Sequence, residues 1–212
     1  MNIRILDLGI NNLNSVRRVF ESCITSQDSI EILSDCSDLS RNSDLLVLPG
    51  MGKFSAGMEA IRDKGFDELI LNHVSNKGKI AGICLGMHLL GHESEESEDT
   101  VGLRLISGST KRFKEQKGER IPNIGWLGTK KSKKSSHFNA LDAEQDFYFV
   151  HSYEFKPENE NDILCKSLYG KHEFVSGVLT NEICAFQFHP EKSAKIGKSL
   201  VYDLIEWAKH EV

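Results

Sequence analysis

Residues 79–83 form a short apolar run that stops at Cys84, and a helix-like run over 85–90 begins at once. A chain that passes from strand to helix with no loop between must turn sharply at the end of a sheet strand. Gly82 and Gly86 leave the backbone room to bend on either side of the cysteine. The side chain on such a turn projects out of the sheet. The helix start adds free backbone N–H groups and the positive end of a dipole, which favour thiolate over thiol. Far downstream, Phe188-His189-Pro190-Glu191 offers a base, His189, and a carboxylate, Glu191, that can orient it. Together they predict a nucleophilic enzyme with Cys84, His189 and Glu191 as catalytic residues.

Apolar and amphipathic runs alternate along the chain in the way that builds a parallel sheet with helices on both faces. Asn2–Leu6 reads as a strand. Residues 13–22 read as a helix with Leu13, Val16, Val19 and Phe20 inward, and 45–48 as a second strand ending at Pro49. Helical periodicity runs over 58–74 with a break near Gly65, ahead of the 79–83 strand. From 101 to 177 the pattern changes to short runs such as 103–106, 147–150 and 173–175 between polar turns, which predicts added antiparallel strands. A helix over 193–209, with Ile196, Leu200, Leu204 and Trp207 inward, closes the chain. The expected architecture is one α/β domain spanning 1–212, with a central, mostly parallel sheet.

A formal net charge of −5 gives no overall drive toward nucleic acid or an anionic membrane. The run Lys130-Lys131-Ser132-Lys133-Lys134 reads as a solvated loop or turn. Five widely spaced cysteines (Cys23, Cys36, Cys84, Cys165 and Cys184) match neither zinc-binding spacing nor a disulfide framework, which favours a reducing, cytoplasmic setting. No apolar run reaches membrane-spanning length, and no ligand cluster calls for a metal or organic cofactor.

Open α/β sheets bind ligands at the carboxyl ends of their strands. Three loops are expected there: 9–15 after the first strand, 49–54 after another, and the turn at Cys84. A thiolate that attacks an amide creates an oxyanion, and that charge needs aimed donors. The Leu85 N–H, next to the nucleophile, is one expected donor. A backbone N–H at Met51 or Gly52, in the glycine-rich loop, is the other.

The Gly-x-Cys-x-Gly pattern joined to Gln187-Phe188-His189-Pro190-Glu191-Lys192-Ser193 resembles the triad (class I) glutamine amidotransferases, with their flavodoxin-like fold. The resemblance covers nearly the whole chain and is closest to the glutaminase subunits of imidazole glycerol phosphate synthase. Asn12-Leu13-Asn14-Ser15-Val16, Pro49-Gly50-Met51-Gly52-Lys53-Phe54, Glu93-Ser94-Glu95-Glu96, Gly125-Trp126 and Tyr148-Phe149-Val150-His151-Ser152-Tyr153 carry it. It implies hydrolysis of glutamine to glutamate and ammonia. The ammonia passes to a (β/α)8 cyclase partner in a heterodimer of histidine biosynthesis. By the same resemblance Gly50, His88, Ser152 and Tyr153 match substrate-binding positions, and Asn12, Trp126, Tyr148 and Lys192 match positions at the partner interface.

Three positions depart from that family's pattern. His88 stands where a substrate-contacting glutamine is usual, Asn123 where histidine is usual, and Leu127 where asparagine is usual. They motivate an alternative with the same chemistry, a paralogue that supplies ammonia for amidino-sugar synthesis in surface polysaccharide. A catalytically silent regulatory subunit is a further alternative, which the intact Cys84, His189 and Glu191 argue against.

Overall fold

The computed structural model describes residues 1–10, 12–36, 43–114, 118–132 and 135–210. The chain runs β1 (Asn2–Leu6), α1 (Leu13–Glu21), β2 (Ser29–Leu33), β3 (Leu45–Gly50), α2 (Phe54–Asp63), α3 (Phe66–Ser75), β4 (Lys79–Cys84) and α4 (Leu85–Leu89). Then follow β5 (Glu93–Ser94), β6 (Gly108–Arg112), β7 (Asn123–Lys131), β8 (Gln145–His151), β9 (Tyr153–Pro157), β10 (Ile163–Tyr169), β11 (His172–Leu179), β12 (Ile183–Phe186) and α5 (Ala194–Lys209).

Nine strands form one sheet in the order β2-β1-β3-β4-β12-β11-β10-β7-β8. The first five in that order pair in parallel, and β11, β10, β7 and β8 extend the sheet in antiparallel pairs. A second sheet, β5-β6-β9, stands apart. Side chains alternate across the parallel strands. Leu45 and Val47 of β3 join the cluster that holds Phe20 of α1 and Leu200 and Leu204 of α5. Leu46 and Leu48 join the cluster of Met58, Ile61, Phe66 and Ile70 from α2 and α3. Each face of the sheet is therefore sealed by its own helices, as the sequence predicts.

Several details differ from the expectation. Residues 103–106 are not a strand. Arg104 takes φ +58°, and the N–H groups of Leu103, Leu105 and Ile106 bond to the Leu89 and Leu90 carbonyls, so this run packs on the end of α4. β3 does not stop at Pro49 but continues to Gly50, pairing there with β4 alone, since its pairs with β1 end at Val47. The helical run begins earlier than expected, at Phe54, and breaks into α2 and α3 at Gly65 as expected, where a φ of +69° suits glycine. The basic run is not all loop: Lys130 and Lys131 belong to β7, while Lys133 and Lys134 lie outside the described residues. Lys131 Nζ donates to the carbonyls of Ser135, His137 and Phe138, so this charge closes a loop.

Candidate active site

β3 and β4 end side by side, with Gly50 opposite Cys84, and the sheet opens there. Cys84 adopts φ +54°, ψ −109°, a conformation that costs a non-glycine residue energy and that tight packing must hold in place. The packing is visible at Gly86. A Cβ there would lie 1.8 Å from the Leu48 carbonyl oxygen, so α4 starts directly against β3.

His189 follows β12, and a short 3-10 turn over Pro190–Lys192 folds the chain back on it. That turn brings Glu191 Oε1 to 2.7 Å from His189 Nδ1, with both side chains almost fully buried. The loop hangs on β8. The His189 N–H donates to the Tyr148 carbonyl at 2.9 Å, and Ser193 Oγ accepts the Tyr148 N–H while donating to the His189 carbonyl. Burial opposes a charged imidazole, but the negative charge of Cys84 and the Glu191 carboxylate outweigh it and raise the His189 pKa to about 10. Since Nδ1 is held by Glu191, Nε2 is the nitrogen left for Cys84.

A pocket of about 360 Å³ opens over Cys84. Met51, Gly52, Leu85, His88, Ser152 and Tyr153, all candidate site residues, line it. Gly50 does not. A Cβ there would press on the Leu85 side chain at 3.1 Å, so its part is to let α4 approach β3. Glu96, Lys53 and His151 also line the pocket, roles that sequence spacing does not reveal. Glu96 Oε2 accepts the Phe54 N–H at 2.8 Å, capping α2 where the glycine loop enters it. The Met51 N–H, one of the expected oxyanion donors, is bonded to the Ile10 carbonyl at 3.1 Å. A larger hollow, about 690 Å³, lies at the opposite end of β4 beside Lys79, away from Cys84.

The departures from the family pattern are built into buried pairs. His88 Nε2 sits 2.7 Å from Gln187 Oε1, and burial lowers its pKa to about 4 against the effect of that bond, so the ring is neutral at neutral pH. Asn123 points inward, where its Nδ2 donates to His151 Nε2 at 3.0 Å. His151 Nδ1 donates in turn to the Tyr153 carbonyl at 2.8 Å, and burial holds this ring neutral too. Leu127 packs against the core. On the other face of β7, Ile124 and Trp126 are 60% and 50% exposed.

Trp126 meets the Tyr148 ring edge-on at 5.9 Å, and Lys192 Nζ lies 5.7 Å from that ring and 3.7 Å from Met51 Sδ. Asn12 is exposed and donates to Ser15 Oγ; its neighbour Asn11 is outside the described residues. Among the described residues, no group of three or more His, Cys, Asp or Glu side chains is placed to hold a metal, and no helix is long and apolar enough to cross a membrane.

Comparison with known proteins agrees with this geometry. The glutamine amidotransferase class-I family model matches residues 5–206. The chain is 34% identical over 211 residues to the imidazole glycerol phosphate synthase subunit HisH of Prochlorococcus marinus, covering 100% of this chain and 97% of that one. It is 37% identical to the HisH subunit of Chlorobaculum tepidum, covering 96% and 98%. A glutamine amidotransferase of Thermotoga maritima shares the fold, with a TM-score of 0.71 at 18% identity over 99% of both chains. The chain thus belongs to the class-I glutamine amidotransferases and, within them, to the family of the HisH subunit of imidazole glycerol phosphate synthase.

Proposed function

We infer that this chain is the glutaminase subunit of an imidazole glycerol phosphate synthase and delivers ammonia to a (β/α)8 cyclase subunit. The observation that carries the reading is Cys84 on its strained turn at the floor of the pocket, served by the buried His189–Glu191 pair. Glutamine enters with its side-chain amide over Cys84. The half-buried Glu96 carboxylate complements its ammonium group, and Ser152 and Tyr153 hold the remainder. The sulfur attacks the amide carbon, and the carbonyl oxygen takes up the charge. Leu85 N–H, at the start of α4, stabilises it together with a donor from the 50–52 loop. His189 passes its Nε2 proton to the leaving nitrogen, ammonia departs, and a glutamyl thioester remains. Water then attacks the thioester with His189 as base, which releases glutamate and restores the thiolate.

In the resting form the Met51 N–H is committed to Ile10, so the oxyanion site lacks that donor. Loss of one such donor costs on the order of a hundredfold in rate. This supports a subunit that is nearly idle until the cyclase binds. Trp126, Tyr148 and Lys192 link an exposed aromatic edge to Met51 and are proposed, with Asn12, as the docking face. The test is glutamate release by the chain alone and with a histidine-pathway cyclase plus its nucleotide ligand. Low activity alone and a large rise in the mixture are expected; no rise overturns the reading.

His88, Asn123 and Leu127 favour a second reading, the paralogue that feeds amidino-sugar synthesis. Restoration of histidine prototrophy in a strain lacking its own glutaminase subunit would exclude it.

A further inference from the structure

Cys84 and His189 arrive from distant parts of the chain, and the polar contacts around them show how their spacing is held. His88 stands one helical turn beyond Cys84 on α4, and Gln187 stands two residues before His189 at the end of β12. Gln187 is fully buried and His88 is 6% exposed. β12 lies parallel to β4 with Phe186 opposite Ile83, so the two catalytic segments leave the sheet side by side. Just past that point the bond between His88 Nε2 and Gln187 Oε1, 2.7 Å long, crosses from one segment to the other.

We propose that Gln187 is a positioning residue that, through His88, holds the base-bearing segment in register with the nucleophile-bearing helix. Three observations support the assignment. The Gln187 backbone is itself pinned, its N–H donating to the Ser176 carbonyl at 3.0 Å, so the tie is anchored in the sheet. Gln187 Nε2 is buried with no hydrogen-bond partner, which costs stability that a leucine at this place would not. Buried polar groups kept at such a cost cluster where function needs geometry. Finally, an amide oxygen only accepts, so His88 Nε2 carries the proton and the ring is held in a single tautomer.

The proposal rests on the glutaminase reading, and the experiment separates the two. Glutamine-dependent and ammonia-dependent turnover are measured on the complex with the cyclase subunit, for the unaltered chain, Gln187→Leu and Gln187→Glu. Absence of glutamine turnover in the unaltered complex overturns the glutaminase reading and the proposal with it. With that activity present, Gln187→Leu lowers kcat for glutamine about tenfold to a hundredfold, the scale of a misplaced catalytic group. KM stays within about threefold and ammonia-dependent turnover is retained.

Gln187→Glu keeps an acceptor oxygen for His88 and adds a charge that favours the imidazolium. Its kcat recovers well above that of Gln187→Leu, and its pH profile gains an ionisation between about pH 5 and 8. Cys84, His151, His189 and Glu191 are common to all three proteins, so the added ionisation belongs to His88 and the carboxylate introduced beside it, titrating as a pair. Unchanged kcat in Gln187→Leu, a change in KM alone, or equal loss of both turnovers overturns the proposal. Should Gln187→Leu not fold, a Gln187→Glu profile superimposable on that of the unaltered protein overturns it by itself.

Discussion

The Met51 N–H donates to the Ile10 carbonyl at 3.1 Å, tying the glycine loop after β3 to the loop after β1. The neighbouring Gly52 sits at φ +107°, and a Cβ on it would meet nothing within 4 Å. Backbone conformation, and not crowding, therefore reserves this position for glycine. Gly52→Ala is expected to cost only about 1 kcal/mol of stability, because the loop has space to adjust. It lowers glutamine hydrolysis in the complex by about tenfold or more, because the loop can no longer turn freely to present its donor. Urea unfolding and a glutamate-release assay measure the two effects.

Cys84→Ala abolishes glutamine use and leaves ammonia-dependent turnover by the cyclase intact. Equal loss of both would count against ammonia delivery from this chain. The comparison requires only the two nitrogen sources with one complex.

Glu191→Gln keeps an acceptor for His189 Nδ1 but removes the charge that helps to hold the imidazolium. The His189 pKa, about 10 in the folded protein, then falls toward its ordinary 6.5. The alkaline limb of kcat/KM moves to lower pH, read from rate profiles between about pH 6 and 11. Because the folded value is raised, the stability His189 contributes is fully present below pH 6.5 and is lost as pH rises through about 10. The stability difference between the unaltered protein and the variant accordingly narrows at high pH, which denaturant unfolding at pH 7 and above pH 10 would show.

Gly86→Ala places a methyl group 1.8 Å from the Leu48 carbonyl oxygen, a backbone atom with no rotamer to escape into. The start of α4 must move off β3, at a cost of at least about 2 kcal/mol. Thermal unfolding measures the loss. Glutaminase activity falls with it, since the Cys84 turn depends on the same contact.

Glu96→Gln retains an oxygen for the Phe54 N–H but not the charge facing the pocket. A KM for glutamine raised by about tenfold, with kcat nearly constant, is expected from steady-state kinetics.

Local signals were the legible ones. The Cys84 turn, the break at Gly65 and the His189–Glu191 turn each lie within a few residues, where side-chain size and backbone freedom decide the outcome. β12 was not visible, since a four-residue apolar run looks the same inside a sheet as inside a loop. Residues 103–106 misled because their apolar side chains do pack inward, but against α4 and not in a ladder. Glu96 and Gln187 were missed for a different reason. Their partners, Phe54 and His88, are distant in sequence, and no spacing rule connects them. Asn123 and Leu127, two of the departures from the family pattern, face inward because β7 alternates and puts Ile124, Trp126 and Lys130 on its outer side.

His189, the proposed base, leaves the central strand β12 but is also bonded to β8, the border strand of the nine-stranded sheet. Border strands fray at far lower free energy than the strands they flank. Cys84, the proposed nucleophile, is by contrast rooted in β4 at the sheet's centre alone. Cys84 thus sits on bedrock, while His189 has one foot there and the other on a shoreline. A subunit that clamps the shoreline would protect the machinery from silent losses of its base, long before the body of the fold feels any strain.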